Sequence, residues 1–274
     1  MRTVEVRGFR PGRRAIGRLV VLVVAVGLVV AGIVSGALPA RRWEPFFLAS
    51  TWTFLGEGLL VTLVVGGVAL VASLAISVPL GIARSKLGGP LGWVVSGWIE
   101  LVRATPILAI LVIVFLGLPR IGVRLEALQA ATIGLIIYNS AVLAEIVRAG
   151  IASIPNGEVE AARSLGLGYT STMRFVVLPQ AVSRMTPAIV SQLITLIKDA
   201  SLAFILGAQE LVGYGRSFFN FYGNSMETYV VIGVIFFLIL YPLSRLSRRL
   251  EARQPTSERV VVSGEIDQIG TATP

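Results

Sequence analysis

Residues 154–179 read IPNGEVEAARSLGLGYTSTMRFVVLP, a mixed polar segment that separates two long apolar runs. Asn156 can cap a helix over residues 157–165, because its side-chain oxygen accepts hydrogen bonds from the free N–H groups of a first helical turn. Gly166 suits the left-handed backbone conformation in which helices often end. The segment therefore begins with a short predicted helix that stops at a glycine bend.

The second half of the segment predicts another short helix. Thr170 or Ser171 can cap it, and Pro179 should end it, since proline lacks the N–H group that a helix interior needs. The first helix also has a small apolar face that recurs every third residue, formed by Val159, Ala162 and Leu165. Such a shallow face suits a groove in another protein.

The composition of the whole chain is that of a membrane protein. Apolar residues make up 55% of the chain and charged residues only 14%, with a mean hydropathy of +0.82. A spanning helix needs about 20 mostly apolar residues, and six stretches meet or nearly meet that length. They are residues 16–38, 57–83, 93–117, 127–147, 187–209 and 228–244. The predicted fold class is therefore all-α, with six transmembrane helices.

The first apolar run, residues 16–38, allows two interpretations. It follows Arg13, Arg14 and Arg18, as the apolar part of a signal peptide would. It is long for a signal peptide and has no A-x-A-like cleavage site, which favours a retained membrane helix. Residues 1–15 would then form a basic cytoplasmic N-terminus.

The basic residues predict the orientation in the membrane. With the N-terminus inside, 17 of the 24 Lys and Arg residues are cytoplasmic and 5 are external, while Arg103 and Lys198 fall within or beside spans. The cytoplasmic set is Arg2, Arg7, Arg10, Arg13, Arg14, Arg18, Arg84, Lys86, Arg148, Arg163, Arg174, Arg184, Arg245, Arg248, Arg249, Arg253 and Arg259. The external set is Arg41, Arg42, Arg120, Arg124 and Arg216. The positive-inside rule places both termini in the cytoplasm, so the net charge of +9 is a topology signal and no nucleic-acid partner is expected.

Residue usage excludes several kinds of chemistry. The chain has no cysteine and no histidine, which excludes disulfides, thiol nucleophiles and His/Cys metal sites. Its two lysines, Lys86 and Lys198, do not follow a glycine in a G-x-x-x-x-G-K-[ST] phosphate-binding loop. We therefore expect no catalytic residue, metal site or cofactor in this subunit, and no ATP hydrolysis by it.

The spacing within residues 154–179 resembles a known signature. Glu160-Ala161-Ala162 is followed by three residues, then Gly166, then nine residues, then Val176-Val177-Leu178-Pro179. This resembles the E-A-A-x3-G-x9-I-x-L-P motif of ABC-importer permeases, with Val176 in place of the usual isoleucine. The alternative is an ordinary helical linker, since an E-A-A triplet alone is a weak signal. The full spacing and the cytoplasmic position favour the importer interpretation.

Other motifs resemble the polar amino-acid (His/Glu/Gln/Arg) branch of those permeases. They are ELVRATP at residues 100–106, YNSA at 138–141, AEI at 144–146, IPNG at 154–157, LPQA at 178–181 and KDASL at 198–202. The segment over residues 43–54 and the additional first span look most like glutamate permease subunits of actinobacteria.

The resemblance implies an architecture. A five-helix type I importer core would cover residues 54–247, with a coupling loop over residues 152–180 and one additional helix over residues 16–38. The polar residues 250–274 lack apolar periodicity and are expected to form a disordered cytoplasmic tail. The ATPase-coupling residues that the resemblance implies are Glu160, Ala161, Ala162, Arg163, Gly166, Leu178 and Pro179.

The resemblance also implies partners. Two ATPase subunits would bind ATP and Mg, and a second permease subunit, either similar or identical, would complete the membrane path. An extracellular solute-binding protein would deliver the amino acid. The assembly would lie in a bacterial cell membrane, surrounded by lipid.

Polar residues of the fifth predicted span share one helix face. At 100° per residue they fall within about 120°: Ser191, Gln192, Thr195, Lys198 and Asp199. Lys198 would lie roughly 16 Å beyond Pro187 at 1.5 Å per residue, near the middle of the bilayer. The polar face should line the bundle interior or a translocation path, while lipid should meet the opposite face, Val190, Leu193, Ile194 and Ile197. Two roles stay open, contact with substrate and charge neutralisation between helices.

Arg103 also allows two interpretations. It could pair with Glu100, three residues earlier on the same helix face, or extend its charge from the start of the helix towards water. Pro106 removes a helical N–H donor and so permits a local break. If the substrate is acidic, Arg103 and Lys198 are the natural partners of its carboxylate groups.

Three classes of function compete at this point. The motifs favour the permease of an ATP-driven amino-acid importer. An ion-gradient-driven secondary transporter should show repeated broken helices with ion ligands, and the sequence shows no such inverted repeat. A membrane scaffold would use Lys198 and Asp199 only for helix association.

Overall fold

The computed structural model describes residues 39–252 without a gap, together with Gly27, residues 30–32 and Gly36. The predicted helix over residues 16–38 and the tail beyond Ala252 therefore lie outside the described residues almost entirely. Every regular element in the described part is helical. The α-helices are α1 Ala49–Lys86, α2 Gly89–Ala104, α3 Ile107–Gly117, α4 Ala127–Ala152, α5 Asn156–Ser164, α6 Tyr169–Thr172, α7 Leu178–Ala200, α8 Leu211–Tyr222 and α9 Ser225–Glu251.

Short segments of other helical types connect these elements. Three 3-10 segments cover Ala40–Phe47, Leu118–Ile121 and Ser201–Leu206, and a π-helical turn covers Met173–Val177. Within the described residues, four helical segments are long and apolar enough to cross a membrane: Ala49–Lys86, Ala127–Ala152, Tyr169–Leu206 and Ser225–Glu251. The pair Gly89–Ala104 and Ile107–Ile121 makes a fifth if it is counted as one broken span.

The predicted span over residues 93–117 is not one straight helix, because α2 and α3 meet at an angle of 102°. Thr105 adopts an extended conformation and Pro106 precedes α3. A proline ring disfavours helical geometry in the residue before it, and proline has no N–H group to continue the hydrogen-bond ladder. The break that Pro106 permits is therefore present.

The predicted start of the fifth span at Pro187 is also wrong. The helix α7 begins at Leu178 and includes Pro187. Pro179 lies in the first turn of α7, where its missing N–H group costs little. The π-helical turn directly before α7 shifts the backbone hydrogen bonds so that the proline ring fits. Lys198 consequently lies in the last turn of α7, roughly 30 Å from Leu178 at 1.5 Å per residue.

The centre of the bundle is α4, which packs against α1, α2, α3 and α7. The face of α1 towards this core consists of small residues, including Ala69, Ser73, Ser77 and Gly81. A Cβ atom on Gly81 would lie 2.7 Å from the carbonyl oxygen of Ala144 and from the side chain of Val147. Small residues let helices approach closely in a membrane, where tight packing replaces the hydrophobic effect as the driving force.

The opposite face of α1 is apolar and exposed. Leu60, Val64, Val68 and Val71 recur at helical spacing and are each more than half exposed. A second cluster of buried residues joins the 3-10 segment before α1 to α8 and α9 through Phe46, Leu55, Leu211, Phe218 and Ile232. The helix α1 thus packs against α4 through small residues and carries large apolar ones on its outer face, as expected for a helix in lipid.

Candidate functional site

The first predicted helix of the loop is present as α5, within one residue of the predicted bounds. Its cap was predicted incorrectly: Asn156 is the first helical residue, Pro155 precedes it, and no side chain caps the helix. The ring of Pro155 fixes φ at −57° and turns the chain into the helix without a side-chain cap.

The second predicted helix begins at Tyr169, after Gly168. Thr170 and Ser171 lie inside α6 and do not cap it, since no side-chain cap bond is present at Gly168. This helix does not end at Pro179 but runs through the π-helical turn into α7. The loop therefore connects rigidly to the next span.

Gly166 has the predicted left-handed conformation, with φ +79°. The Gly166 N–H donates to the Arg163 carbonyl oxygen at 2.9 Å, and the Leu167 N–H donates to that of Ala162 at 3.2 Å. These bonds satisfy the free carbonyl groups at the end of α5 and reverse the chain. A Cβ atom on Gly166 would meet nothing within 4 Å, so the requirement for glycine comes from the backbone alone.

The apolar face predicted for α5 does not point outward as one unit. Ala162 is buried, and Val159 packs in a cluster with Ile154, Met173 and Val177 of the same chain. Leu165 is 82% exposed. The exposed residues around the C-terminal end of α5 are therefore Glu160, Ala161, Arg163, Ser164 and Leu165.

The loop is fastened to three helices of the bundle. The Lys86 ammonium group at the end of α1 lies 4.1 Å from the ring centroid of Tyr169. Gln180 Nε2 donates to Glu158 Oε2 at 3.3 Å, and Arg184 Nη1 donates to the carbonyl oxygen of Ser153. Leu178 is half-buried beside these contacts and Pro179 is exposed. These contacts attach the loop to the ends of α1, α4 and α7.

Three arginines converge on Glu145 near the ends of α1, α2 and α4. Glu145 Oε1 accepts from Arg148 Nη2 at 2.6 Å and from Arg148 Nε at 3.0 Å. Glu145 Oε2 lies 3.0 Å from Arg84 Nη1 and 3.9 Å from Arg103 Nη1. Sequence reasoning included Glu145 only as part of a motif, although an ionisable residue inside an apolar run is itself a signal of function.

Of the two interpretations of Arg103, the pairing with Glu100 is absent from the described residues. Glu100 Oε1 instead accepts from Arg84 Nη2 at 2.9 Å, because packing brings the end of α1 beside α2. Within the described residues Arg103 forms an ion pair only with Glu145, and 42% of its side chain is exposed. Its guanidinium group therefore keeps donors for another ligand.

The polar face of α7 divides between two environments. Gln192 Nε2 donates to Asn139 Oδ1 of α4 at 2.7 Å, and Asn139 is fully buried. Ser191 Oγ lies 2.7 Å from Ser247 Oγ of α9, and Thr195 Oγ1 donates to the Ser191 carbonyl oxygen. Ser191 and Lys198 are exposed, Thr195 and Asp199 are half-buried, and Lys198 forms no ion pair within the described residues.

The prediction that lipid meets the apolar face of α7 is wrong for Ile197. Ile197 is 5% exposed and lies against Gly66 of α1, while its neighbour Leu196 is fully buried among Val65, Ala69 and Leu111. The apolar face of α7 packs inward because the small residues of α1 leave room for it. Ser191 and Lys198 therefore lie on the outside of this single chain, whereas Gln192, Thr195 and Asp199 are half-buried.

A second buried carboxyl group lies between the last two candidate spans. Glu210 precedes α8 and is fully buried, and its carboxyl oxygens accept from the N–H groups of Val212 and Gly213, each at 3.0 Å. Burial raises the pKa of Glu210 to about 7, although the backbone hydrogen bonds from Val212 and Gly213 and the hydroxyl of Thr62 oppose the increase.

Comparison with known proteins places this arrangement in context. Residues 73–254 match the family described as binding-protein-dependent transport system inner membrane component. The "Probable glutamine ABC transporter permease protein GlnP" of Bacillus subtilis is 40% identical over 207 residues, which cover 73% of this chain and 94% of that protein.

The "Glutamate transport system permease protein GluD" of Corynebacterium glutamicum is 33% identical over 221 residues, 79% of this chain and 81% of its own length. Among solved structures, a chain described as "Crystal structure of an amino acid ABC transporter with histidines" superposes with a TM-score of 0.71 at 29% identity. That similarity covers 76% of this chain and 98% of the other.

Proposed function

This chain belongs to the family of binding-protein-dependent transport system inner membrane components, and we propose that it is the permease subunit of an ATP-driven importer of polar amino acids. The observation that carries the proposal is the match over residues 73–254, which includes the whole coupling loop. The chain is the non-catalytic membrane subunit, and a separate ATPase hydrolyses ATP. The relatives named for glutamine and glutamate support one of these two substrates.

The coupling role is assigned to the outer surface of α5. Glu160, Ala161, Arg163 and the 82% exposed Leu165 would dock on an ATPase subunit that binds ATP and Mg. Ala162, Gly166, Leu178 and Pro179 would hold the loop in shape. Because α5 is fastened to the spans, ATP-driven closure of the ATPase pair would move the spans from an inward-facing to an outward-facing arrangement.

The substrate path is assigned to the polar face of α7, formed by Ser191, Gln192, Thr195, Lys198 and Asp199, together with Arg103. An exposed lysine on a spanning helix is too costly to face lipid, so it must face water or another protein. Lys198 would then border the space between this chain and a second permease subunit. Arg103 and Lys198 would contact the carboxylate groups of the substrate.

The assembly follows from the same family membership. We assign two ATPase subunits, a second permease subunit, which is either a homologue or a copy, and an extracellular solute-binding protein. The chain would be a multi-pass protein of a bacterial cell membrane with both termini in the cytoplasm. Residues 1–15 and 16–38 would add a basic segment and one helix to a core over residues 54–247, and residues 250–274 a cytoplasmic tail.

The test is uptake by proteoliposomes that contain the full chain with its ATPase, second permease and binding-protein partners. We expect uptake of radiolabelled glutamate or glutamine that requires ATP inside and the binding protein outside. A Leu165→Ala variant should lose at least about tenfold in uptake, since truncating an anchoring side chain costs about 1.4 kcal/mol or more. Its membrane insertion should be unchanged.

Leu178→Ala provides a control within the loop, because Leu178 is half-buried and faces the same chain. It should lower thermal stability with less effect on the amount of ATPase that co-purifies. Uptake driven by an ion gradient without ATP would instead support a secondary transporter, for which the known relatives offer no support.

A further inference from the structure

Glu210 joins α8 to α1 through a small hydrogen-bonded group. Both of its carboxyl oxygens accept from the first N–H groups of α8, and Glu210 Oε2 also lies 3.4 Å from Thr62 Oγ1 of α1. Thr62 and Glu210 are both fully buried. Nothing in the coupling loop or the polar face of α7 uses this group.

The hydroxyl group of Thr62 has a single hydrogen, and the distances indicate where it points. Thr62 Oγ1 lies 3.0 Å from the Gly58 carbonyl oxygen and accepts from the Leu211 N–H group at 3.0 Å. If its hydrogen is donated to Gly58, the nearer acceptor, Thr62 has one acceptor position left for Glu210. A carboxylate has no hydrogen to donate, whereas a protonated carboxyl group has one.

Beside Thr62 and Glu210, α8 and α1 are in close contact. A Cβ atom on Gly58 would lie 2.8 Å from Tyr214 Cγ and 3.0 Å from Leu211 Cα. The two helices therefore touch at a glycine one turn from Thr62. A change in the hydrogen bonds of Thr62 acts directly on this contact.

We propose that the carboxyl group of Glu210 is a proton-binding site, and that its proton completes a hydrogen-bond chain from Glu210 through Thr62 to Gly58 that fastens α8 to α1. In the protonated state, Glu210 Oε2 donates to Thr62 Oγ1 and the Thr62 hydroxyl donates to Gly58. When the proton leaves to solvent, the Thr62 hydroxyl must turn towards the carboxylate and gives up its bond to Gly58. The protonated and ionised states therefore differ in the hydrogen bonds that join α8 to α1.

The charges around Glu210 do not stabilise its ionised form. The ionisable residues on the surrounding elements include Glu57 on α1, Lys198 and Asp199 at the end of α7, Tyr214 and Arg216 on α8, and Glu227 on α9. No Lys or Arg of the described residues lies within 4.0 Å of the Glu210 carboxyl group. Burial without a cation agrees with the raised pKa of about 7.

The composition of the chain makes titration of Glu210 easier to detect. The chain contains no histidine and no cysteine, the side chains that ordinarily titrate closest to neutral pH. A pKa raised from 4.5 to about 7 means that the folded state binds the proton more tightly than the unfolded state. The contribution of Glu210 to stability is then fully present below pH 4.5, is lost as pH rises through about 7 and is absent above it.

The experiment uses the full chain in its purified complex. Infrared difference spectra between about pH 6 and about pH 8, on either side of the pKa of about 7, should show loss of the C=O stretching band of a protonated carboxylic acid. The band should vanish in Glu210→Gln and persist in Glu57→Gln, a control on α1 at an exposed residue. The thermal unfolding temperature of the wild type should fall by several degrees over this range, and that of Glu210→Gln should not.

Two further variants keep the test decisive if Glu210→Gln folds poorly. Thr62→Ser retains the hydroxyl group and should retain the pH dependence, whereas Thr62→Val should shift the pH at which the band is lost. The proposal is overturned if the band is absent from the wild type, or if it persists in Glu210→Gln and disappears in Glu227→Gln. ATP-driven uptake is a separate measurement, so either result leaves the test of the proposed function intact.

Discussion

Gly166 and Gly157 lie in the same loop but have different backbone conformations. Gly166 has φ +79°, whereas Gly157 lies within α5 and has no positive φ. An added Cβ atom would meet nothing within 4 Å at either residue. The two glycines therefore differ only in backbone conformation. Comparing variants at the two positions tests the bend separately from any effect of side-chain packing.

We predict that Gly166→Ala weakens coupling while Gly157→Ala does not. Alanine at a positive φ should cost about 1 kcal/mol in the geometry of the bend, whereas alanine inside a helix is favourable by a similar amount. The measurement is ATP-driven uptake together with ATPase co-purification at equal membrane content. Gly166→Asn should restore much of the activity, since asparagine tolerates this conformation. Equal activity of the two alanine variants would remove the bend from the mechanism.

At the scale of elements, Glu145 connects helices that the sequence separates widely. It belongs to α4 and binds Arg148 of its own helix and Arg84 of α1, with Arg103 of α2 nearby. Removing the charge of Glu145 would leave these three arginines, which are partly buried, without the carboxylate that they share. The side chain of Glu100 is 65% exposed and binds Arg84 alone.

These two glutamates provide a matched pair of variants. Glu145→Gln should lower the free energy of unfolding by about 2 kcal/mol, because the partly buried arginines around it would lose the carboxylate that compensates their charge. Glu100→Gln should cost less than about 1 kcal/mol, as exposed ion pairs do. Thermal unfolding of the purified complex measures both. Equal losses would mean that the cluster around Glu145 does not hold the three helices together.

At the scale of the whole molecule, the chain presents two exposed faces of different chemistry. Val64 on α1 belongs to an apolar face that suits lipid, and Ser191 on α7 belongs to a polar face that includes the charge of Lys198. One single chain in a bilayer could not expose the second face to lipid without a large cost. The structure therefore requires another subunit or a water-filled path beside α7.

We predict that a hydrophilic thiol reagent labels Ser191→Cys but not Val64→Cys in proteoliposomes of the assembled transporter. The chain has no natural cysteine, so each variant carries a single thiol on this subunit. Substrate together with the binding protein should slow the labelling of Ser191→Cys. Rapid labelling of Val64→Cys, or none of either variant, would contradict the assignment of the path to α7.

The sequence by itself determined the membrane class, the family and the glycine bend. The length of an apolar run indicates whether a helix can span the bilayer, and the spacing from Glu160 to Pro179 is a local pattern. Both can therefore be recognised without knowing the fold. The break near Pro106 was also accessible, because proline acts through its own ring and the residue before it. The helix caps were missed because Pro155 and Gly168 set the helix starts without a side-chain hydrogen bond.

Only the tertiary structure decided which faces are inside. Helical periodicity correctly grouped the polar residues of α7, but the direction of that face depends on the small residues of α1, which accept Ile197 and Leu196. The partner of Glu100 and the hydrogen bonds around Glu210 also depend on residues far away in sequence, Arg84 and Thr62. A pattern along one helix fixes the angles between its own side chains, whereas their environment is fixed by the helices that pack against it.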